Sequence, residues 1–311
     1  MLNIQDFTFP SSDGSTALHG RIWADDAVTP RAVFQIAHGV SEYIGRYDRF
    51  ARFLAEKGFI VAGHDHLGHG ESVPEGGTPI YFADQNGWEH VVDDVAALDR
   101  KLKLDYPALP HFLMGHSMGS FLTRSCLSRY PGSVDGAIIM GTGWQSPLII
   151  QGGLMVAGME ARRHGRRATS DLVNNLAFGG YNKPFRPNRT GFDWLSADET
   201  NVDRYVADPK CGQDATIGLF QDMLGGFRFN QKAEYLARMN INTPILFVSG
   251  AKDPVGAMGK GVEKSRTAFL HAGVKDVDLI LYPGLRHEIL NESSQQEVVF
   301  GDILLWLDAH L

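Results

Sequence analysis

Short apolar runs alternate with longer amphipathic stretches along most of this 311-residue chain. The apolar and β-branched runs predict strands at 32–37, 59–62, 112–114, 137–140, 245–248 and 277–281. The stretches with apolar residues at helical spacing predict helices over 47–57, 91–104, 121–130, 261–272 and 297–311. Strands that alternate with helices in this way indicate an α/β protein with a mostly parallel sheet and helices on both of its faces.

The pattern departs from this alternation in two places. Near the N-terminus, strand-like runs at 6–10 and 17–23 flank Ser-Ser-Asp-Gly-Ser, which predicts a hairpin on the edge of the sheet. From 144 to 227 strand patterns are absent and Gly and Pro interrupt the chain, so we predict a helical cap inserted into a core of 1–143 and 228–311. Ligands bind at the carboxyl ends of the strands in open α/β sheets, and the cap is therefore expected to cover such a site.

Charge and composition narrow the class of protein. Hydrophobic residues make up 43% of the chain and charged residues 21%, which is typical of a folded globular protein. The net charge of −7 argues against nucleic-acid binding, which needs a concentrated basic face. One short basic run at 162–167 is the exception, and we expect it to be a solvated helix end or a contact for an anionic substrate or lipid.

Cysteine usage and apolar stretches bear on the cellular compartment. Cys126 and Cys211 are the only cysteines, so no disulfide framework is expected. The N-terminal residues lack a signal-peptide pattern. The most apolar stretch, 147–159, is shorter than the roughly 20 residues that span a bilayer. These features predict a soluble, cytoplasmic protein.

A glycine-flanked serine lies where a predicted strand meets a predicted helix. The segment HFLMGHSMGSFL, 111–122, places Gly115-x-Ser117-x-Gly119 at the turn between them. The Gly-x-Ser-x-Gly pattern is weak by itself, but between a strand and a helix it predicts an elbow that holds the serine hydroxyl above the sheet. Ser117 is therefore the predicted nucleophile. It then needs a histidine base and a carboxylate that orients this base.

The base is expected after the nucleophile in the chain, at the end of a strand. His287 directly follows the last predicted strand. His271 and His310 fall in predicted helices, and His164 falls in the basic run. His287 is therefore the predicted base.

The acid is expected between the nucleophile and the base, after the preceding strand. Asp253 occupies that place, and Pro254 fixes the turn. Asp276 and Asp278 compete for the role, but they lie at the start of the next strand and within it, where solvent-facing charges are expected. Asp253 is the predicted acid.

Two backbone N–H groups are expected to bind the oxyanion that forms when an ester is attacked. One belongs to Met118, the residue after the nucleophile. The other is expected in the loop after the strand that ends at Ala37, where Gly39 lets the backbone turn inward and leaves the N–H of Val40 as the donor. We expect His38 to brace this loop.

Four blocks of sequence occur in order along the chain: HGVSEYIGRY at 38–47, DHLGHGES at 65–72, GHSMG at 115–119 and GLRHEILNE at 284–292. They resemble the monoglyceride lipase and lysophospholipase group of α/β-hydrolases, which is described by a serine aminopeptidase-type domain. The resemblance implies the α/β-hydrolase fold with a helical cap and carboxylic ester hydrolysis without a cofactor. It also implies the same site: Ser117, Asp253 and His287 as the triad, with Val40 and Met118 as the oxyanion donors.

The chain departs from this family at Tyr43, where the first block typically carries histidine. A close copy of the lipases' head-group recognition is therefore not expected. His64, Asp65, His66 and His69 are plausible metal ligands by residue type. The resemblance places them in a structural loop that braces the oxyanion side, so no metal is expected.

The predicted function is hydrolysis of an acyl ester, such as a monoacylglycerol or a lysophospholipid, through an acyl-enzyme. Apolar residues at 148–150, 154–156 and 159 either pack the cap or form a tunnel or a surface for transient membrane contact. An amidase or peptidase with the same triad is one alternative. A ligand-binding receptor that keeps the hydrolase shell is another. The expected partner is a small-molecule acyl ester, and the oligomeric state stays open.

Overall fold

One eight-stranded sheet forms the centre of the molecule. The computed structural model describes residues 1–311. The strands in chain order are β1 (Leu2–Pro10), β2 (Ala17–Asp25), β3 (Ala32–Ala37), β4 (Phe59–His64), β5 (His111–His116), β6 (Gly136–Met140), β7 (Ile245–Gly250) and β8 (Val277–Tyr282). They lie in the order β1-β2-β4-β3-β5-β6-β7-β8. The hairpin β1–β2 lies on the edge, and β2 pairs antiparallel with β4. The six strands β3 to β8 pair in parallel, which confirms the predicted sheet.

Helices connect these strands and cover both faces of the sheet. In chain order they are α1 (Asp48–Ala55), α2 (Gly87–Asp105), α3 (Met118–Arg129), α4 (Pro147–His164), α5 (Asp171–Phe178), α6 (Glu199–Ala207), α7 (Ile217–Asn230), α8 (Ala233–Leu236), α9 (Lys260–His271) and α10 (Gln296–Ala309). The largest difference from the predicted bounds is at α2, which begins at Gly87 instead of residue 91. Its first turn is held because the Trp88 indole donates a hydrogen bond of 3.0 Å to Ser125 Oγ.

The central strands are apolar because both faces of the sheet are covered. Every residue of β3, β4, β5, β6 and β7 is buried. Alternate side chains belong to different apolar clusters: Ile245 and Phe247 pack on one face, and Leu246 and Val248 pack on the other. Such continuous apolar runs are typical of parallel strands.

The predicted cap, residues 144–227, contains helices α4 to α6 and most of α7, which continues to Asn230. Its inner face is continuous with the core, because Ala157 and Leu219 belong to the same apolar cluster as Phe121 of α3. None of the helices in the molecule combines the length and the apolar content that a bilayer crossing requires.

Candidate active site

Ser117 lies at a tight turn between β5 and α3. Its backbone has φ +52° and ψ −119°, in a region where a residue with a side chain is strained. A Cβ on Gly115 would overlap the carbonyl oxygen of Gly119, and a Cβ on Gly119 would overlap that of Ala37. The two glycines therefore let α3 approach the sheet closely enough to form the elbow that the sequence predicts.

His287 and Asp253 are joined at the ends of neighbouring strands. Asp253 follows β7 and His287 follows β8, and His287 Nδ1 lies 2.8 Å from Asp253 Oδ2. The carboxylate also accepts hydrogen bonds from Ser249 Oγ (3.2 Å) and from the N–H of Val255 (2.8 Å). Because Nδ1 donates to the carboxylate, Nε2 carries the lone pair that a base needs.

The competing acids are engaged elsewhere. Asp276 Oδ2 lies 3.1 Å from His310 Nε2, and Asp278 accepts a 3.0 Å hydrogen bond from the Trp306 indole. Both contacts join β8 and the residue before it to the C-terminal end of the chain. Asp253 is therefore the only one of the three candidate acids that bonds to His287.

Ser117, His287 and Val40 line one cavity of about 230 Å³. The Ser117 hydroxyl makes no hydrogen bond in this structure. A Cβ on Gly39 would lie 3.2 Å from Ser117 Cβ, which shows how closely the loop after β3 passes the serine. The backbone N–H groups of Val40 and Met118 have no acceptor within the protein. Val40 lines the cavity, and Met118 directly follows Ser117 in the chain.

A buried charged network lies beside the site, and it was not predicted from the sequence. Arg46 donates to Glu42 Oε2 (2.9 Å) and to Glu288 Oε2 (2.8 Å). Glu42 Oε1 accepts the Tyr47 hydroxyl at 2.8 Å, and His116 Nδ1 lies 3.3 Å from the same oxygen. All five residues fall in the four sequence blocks quoted above, but contacts across 242 residues of sequence cannot be predicted from spacing.

The charges of this network balance each other. Burial opposes ionisation of Glu42, but its hydrogen bond with His116 and the charge of Arg46 lower its pKa well below the ordinary value. Burial also opposes charging of His116, whose pKa is nevertheless raised by the Glu42 hydrogen bond. Burial opposes ionisation of Glu288 too, and Arg46 lowers its pKa. Two carboxylates, one guanidinium and a protonated His116 would leave the network neutral.

A second buried cluster contains four histidines. The ring centroids of His38 and His66 are 4.1 Å apart, and His38 Nε2 accepts the backbone N–H of His66 at 3.0 Å. His38 therefore braces the loop after β3 against the loop after β4. Burial and the charge of His38 lower the pKa of both His64 and His69 to about 3. No three His, Cys, Asp or Glu side chains in the molecule are arranged to hold a metal ion.

The predicted cap contributes aromatic and polar walls to the cavity. The Trp194 ring lies 5.0 Å from that of His287, and Phe178, Phe192 and Tyr205 also line the cavity. The acidic residue Asp214 also lines the cavity, and no Lys or Arg is among the lining residues. Nothing in the sequence pattern of the cap indicated which of its residues would face the site.

Known proteins of similar sequence and structure identify the class. The carboxyl esterase of Bacillus coagulans, solved in complex with glycerol, has a TM-score of 0.91 and 26% identity, covering 98% of both chains. The monoacylglycerol lipase of Mycolicibacterium smegmatis is 30% identical over 297 residues, 93% of this chain and 92% of that protein. The monoglyceride lipase of Homo sapiens is 28% identical over 291 residues, 90% of this chain and 83% of that protein.

The protein is thus a carboxylic ester hydrolase with the α/β-hydrolase fold, as the resemblance implied. The family model for serine aminopeptidase, S33, matches residues 28–294, and the chain belongs to this family.

Proposed function

We propose that the protein cleaves its ester substrate through an acyl-enzyme formed on Ser117. The observation that carries this proposal is the 2.8 Å contact between His287 and Asp253, next to the Ser117 elbow in one cavity. His287 Nε2 removes the proton from the Ser117 hydroxyl as the oxygen attacks the ester carbonyl. The Ser117 hydroxyl does not need to be hydrogen-bonded to His287 Nε2 in the free enzyme, because catalytic hydrogen bonds often tighten only when substrate is bound.

The oxyanion that forms is held by the N–H groups of Val40 and Met118. Its collapse expels the alcohol, which takes the proton from His287 and leaves the acyl group on Ser117. Water then attacks the acyl-enzyme, with His287 again as the base, and releases the carboxylic acid. Asp253 keeps the imidazole in the tautomer that both half-reactions need.

The walls of the cavity favour an uncharged substrate. Glu42 and Glu288 line the cavity, but Arg46 and His116 balance their charges. Asp214 also lines it without an ion pair, and Lys and Arg are absent from the lining. A phosphate or a carboxylate on the substrate would therefore meet the like charge of Asp214. This supports a monoacylglycerol, in which the alcohol is glycerol, over a lysophospholipid with a net negative head group. The name of the Mycolicibacterium smegmatis relative points the same way.

The outer surface of the cap supports transient contact with a lipid surface. Leu148 and Ile149 on α4 are 84% and 63% exposed, and Met155 and Met159 of the same helix are also exposed. The helix ends with Arg162, Arg163 and His164. An apolar helix face next to a basic end is typical of a helix that lies in the interface of an anionic membrane.

A fluorophosphonate probe tests the chemistry directly. We expect the wild-type protein to be labelled and Ser117→Ala to remain unlabelled. Ser128→Ala is the matched control, because Ser128 is a buried residue of the same helix α3 and its hydroxyl makes no hydrogen bond within the protein. Equal labelling of Ser117→Ala would contradict the proposal, and an unlabelled wild-type protein would favour the ligand-binding receptor.

A substrate panel tests the specificity. We expect hydrolysis of monoacylglycerols, slower hydrolysis of anionic lysophospholipids with the same acyl chain, and little hydrolysis of acyl or aminoacyl anilides. Activity that stops at butyrate esters would contradict the lipid substrate. Anilide hydrolysis as fast as ester hydrolysis would favour the amidase or peptidase alternative.

A further inference from the structure

The loop that carries Val40 is held from two sides. We name residues Gly39–Tyr43 the oxyanion loop. On the core side, the N–H of Gly39 donates to Glu42 Oε1 at 2.6 Å, and Tyr47 donates to the same oxygen. On the cap side, Ser41 and Tyr43 bond to one segment, Tyr205–Gln213, which we name the cap clamp. Val40 lies between the two sets of contacts.

Ser41 makes three hydrogen bonds to the cap clamp. Its carbonyl oxygen accepts the N–H of Gly212 and the hydroxyl of Tyr205, both at 3.0 Å. Its own hydroxyl donates to the carbonyl oxygen of Gln213 at 2.7 Å. Ser41 has φ +53°, a left-handed conformation that a residue with a side chain adopts at a cost and keeps only when its surroundings enforce it. The cap clamp supplies these surroundings.

Tyr43 adds a further bond to the same segment. Its hydroxyl donates to Asp208 Oδ2 at 2.9 Å, and the Lys210 ammonium lies 5.3 Å from the centre of its ring. Burial and the Asp208 hydrogen bond raise the pKa of Tyr43 to about 12, so the hydroxyl keeps its proton at neutral pH. The residue at which this chain departs from its family is therefore a link between core and cap.

We propose that the cap clamp positions the Val40 N–H, so that the cap completes the oxyanion hole in addition to covering the cavity. The Val40 N–H lies in the peptide plane between Gly39 and Val40, and Ser41 is the next residue. A change of φ at Ser41 would therefore move the oxyanion loop, and the Val40 N–H with it, away from Ser117. Tyr205 and Ser41 are thus positioning residues that act through Val40. This inference rests on the proposed function, in which the Val40 N–H binds the oxyanion.

The hydroxyl of Tyr205 is the cleanest place to test this coupling. Tyr205→Phe removes one of the two donors to the Ser41 carbonyl but keeps the ring against Arg46 (4.8 Å) and Phe192 (5.1 Å). We expect kcat to fall about tenfold with KM changed less than about twofold, because a misdirected donor loses part of the roughly 100-fold to 1,000-fold effect of an oxyanion donor. Tyr235→Phe is the matched control, since its hydroxyl makes no hydrogen bond and its ring packs on Phe229, which is outside the oxyanion loop.

Ligand affinity separates positioning from a merely structural role. A boronic acid mimics the tetrahedral adduct, whereas the product carboxylic acid does not. We expect Tyr205→Phe to weaken the boronic acid by the same factor as kcat and to leave product affinity unchanged. Ser41→Ala and Ser41→Gly both lose the hydroxyl hydrogen bond to Gln213. Ser41→Ala keeps a strained backbone at φ +53°, whereas Ser41→Gly adopts this φ without strain. We therefore expect Ser41→Ala to lose more kcat than Ser41→Gly.

Three results would overturn the cap clamp as a positioning device: unchanged kcat in Tyr205→Phe, a rise in KM alone, or equal weakening of the boronic acid and the product. Its failure differs from failure of the proposed function. If Ser117→Ala is inactive while Tyr205→Phe keeps full kcat, only the coupling is wrong. If Ser117→Ala keeps its turnover, the triad itself is wrong.

Discussion

The core strands and the cap helices place their apolar side chains differently. Every residue of β3 to β7 is buried, because other parts of the chain cover both faces of the sheet. Helix α4 buries Ile150 and Ala157 but exposes Leu148 and Ile149 on its other side. The predicted catalytic residues therefore lie on the part of the molecule that is fixed by its own packing. The cap, in contrast, keeps an exposed apolar face on α4.

The difference predicts two kinds of defect. Changes at the carboxyl ends of the core strands should impair hydrolysis of every ester, whatever its physical state. Changes on the outer cap should matter only when the ester is presented in a lipid aggregate. Each experiment below tries to break this division, beginning with the largest expected effect.

Asp253→Asn should be the most damaging of these changes. Asn cannot hold His287 in the tautomer with a free Nε2 lone pair, and the corresponding change in a serine protease triad lowers kcat by roughly 10⁴. We expect a loss of about that size on both soluble and aggregated esters, measured by steady-state kinetics. Asp276→Asn is the matched control, because its carboxylate contacts only His310 and should leave kcat unchanged. A large loss in the control would reopen the assignment of the acid.

The histidine cluster of the core should make stability steeply dependent on pH. The pKa values of His64 and His69 are about 3 in the folded protein, below the ordinary 6.5, and that of His66 is also well below it. Between pH 6.5 and about 3 the unfolded chain therefore binds more protons. The contribution of these three histidines to stability is complete above pH 6.5 and is lost as the pH falls, by up to about 4 kcal/mol per pH unit. Burial also lowers the pKa of His38, which adds to the loss in the same direction.

Urea unfolding at a series of pH values measures this slope. His69→Asn removes one titrating ring and should reduce the slope below pH 6.5 by about 1.4 kcal/mol per pH unit. The slope is the readout because it is independent of any constant loss of stability in the variant. An unchanged slope would mean that the cluster does not take up protons on unfolding.

The double variant Leu148→Ser, Ile149→Ser tests the outer cap. Both side chains are largely exposed, so the fold loses little, but insertion into a lipid surface loses about 1 kcal/mol or more for each side chain. We expect at least about tenfold weaker binding to vesicles that contain monoacylglycerol. Hydrolysis of a short soluble ester should change less than about twofold.

Leu104→Ser is the matched control for this experiment. The side chain of Leu104 is 83% exposed, nearly the same fraction as that of Leu148, but Leu104 lies on α2 of the core. Equal loss of vesicle binding in the control would mean that apolar exposure in general is responsible. Slower hydrolysis of the soluble ester by the cap variant would break the division between core and cap.

The junction of cap and core should show the smallest effect. Gln231 Oε1 accepts the N–H of Gln145, and Gln231 Nε2 donates to the Gln145 carbonyl oxygen, both at 2.8 Å. Gln231→Ala should lower the free energy of unfolding by about 1 kcal/mol. Hydrogen exchange should be faster in the cap and unchanged in β5. Gln151→Ala, at an exposed position of α4 whose side chain makes no hydrogen bond, should do neither.

The parts of the molecule that sequence predicts best are those decided by local pattern. The buried strands have continuous apolar runs because they have no polar face, and their ends fix the places of Asp253 and His287. The hairpin on the edge followed from the turn residues between two strand-like runs. These features need no knowledge of which distant segments meet.

Contacts between distant segments, and the exposed or buried sides of the cap helices, could not be predicted from the local sequence pattern. The network of Glu42, Arg46 and Glu288 joins loops that follow β3 and β8, and no spacing rule connects them. In the cap, helical spacing left the choice between tunnel, packing and membrane contact open, since the same period describes buried Ile150 and exposed Leu148. The basic run was expected to be a solvated helix end or a contact for an anionic substrate or lipid. Arg162, Arg163 and Arg167 are exposed, whereas Arg166 pairs with Asp222 on α7 at 2.9 Å.

Trp194 is one of five tryptophans and gives the site an optical signal. Its indole ring comes from the cap and rests 5.0 Å from the imidazole of His287, which belongs to the core. In the proposed mechanism that imidazole carries an extra proton each time the tetrahedral adduct forms, and a protonated imidazole quenches indole emission. The emission of Trp194, measured as the difference between the wild-type protein and Trp194→Phe, would then report both the position of the cap relative to His287 and the protonation of His287.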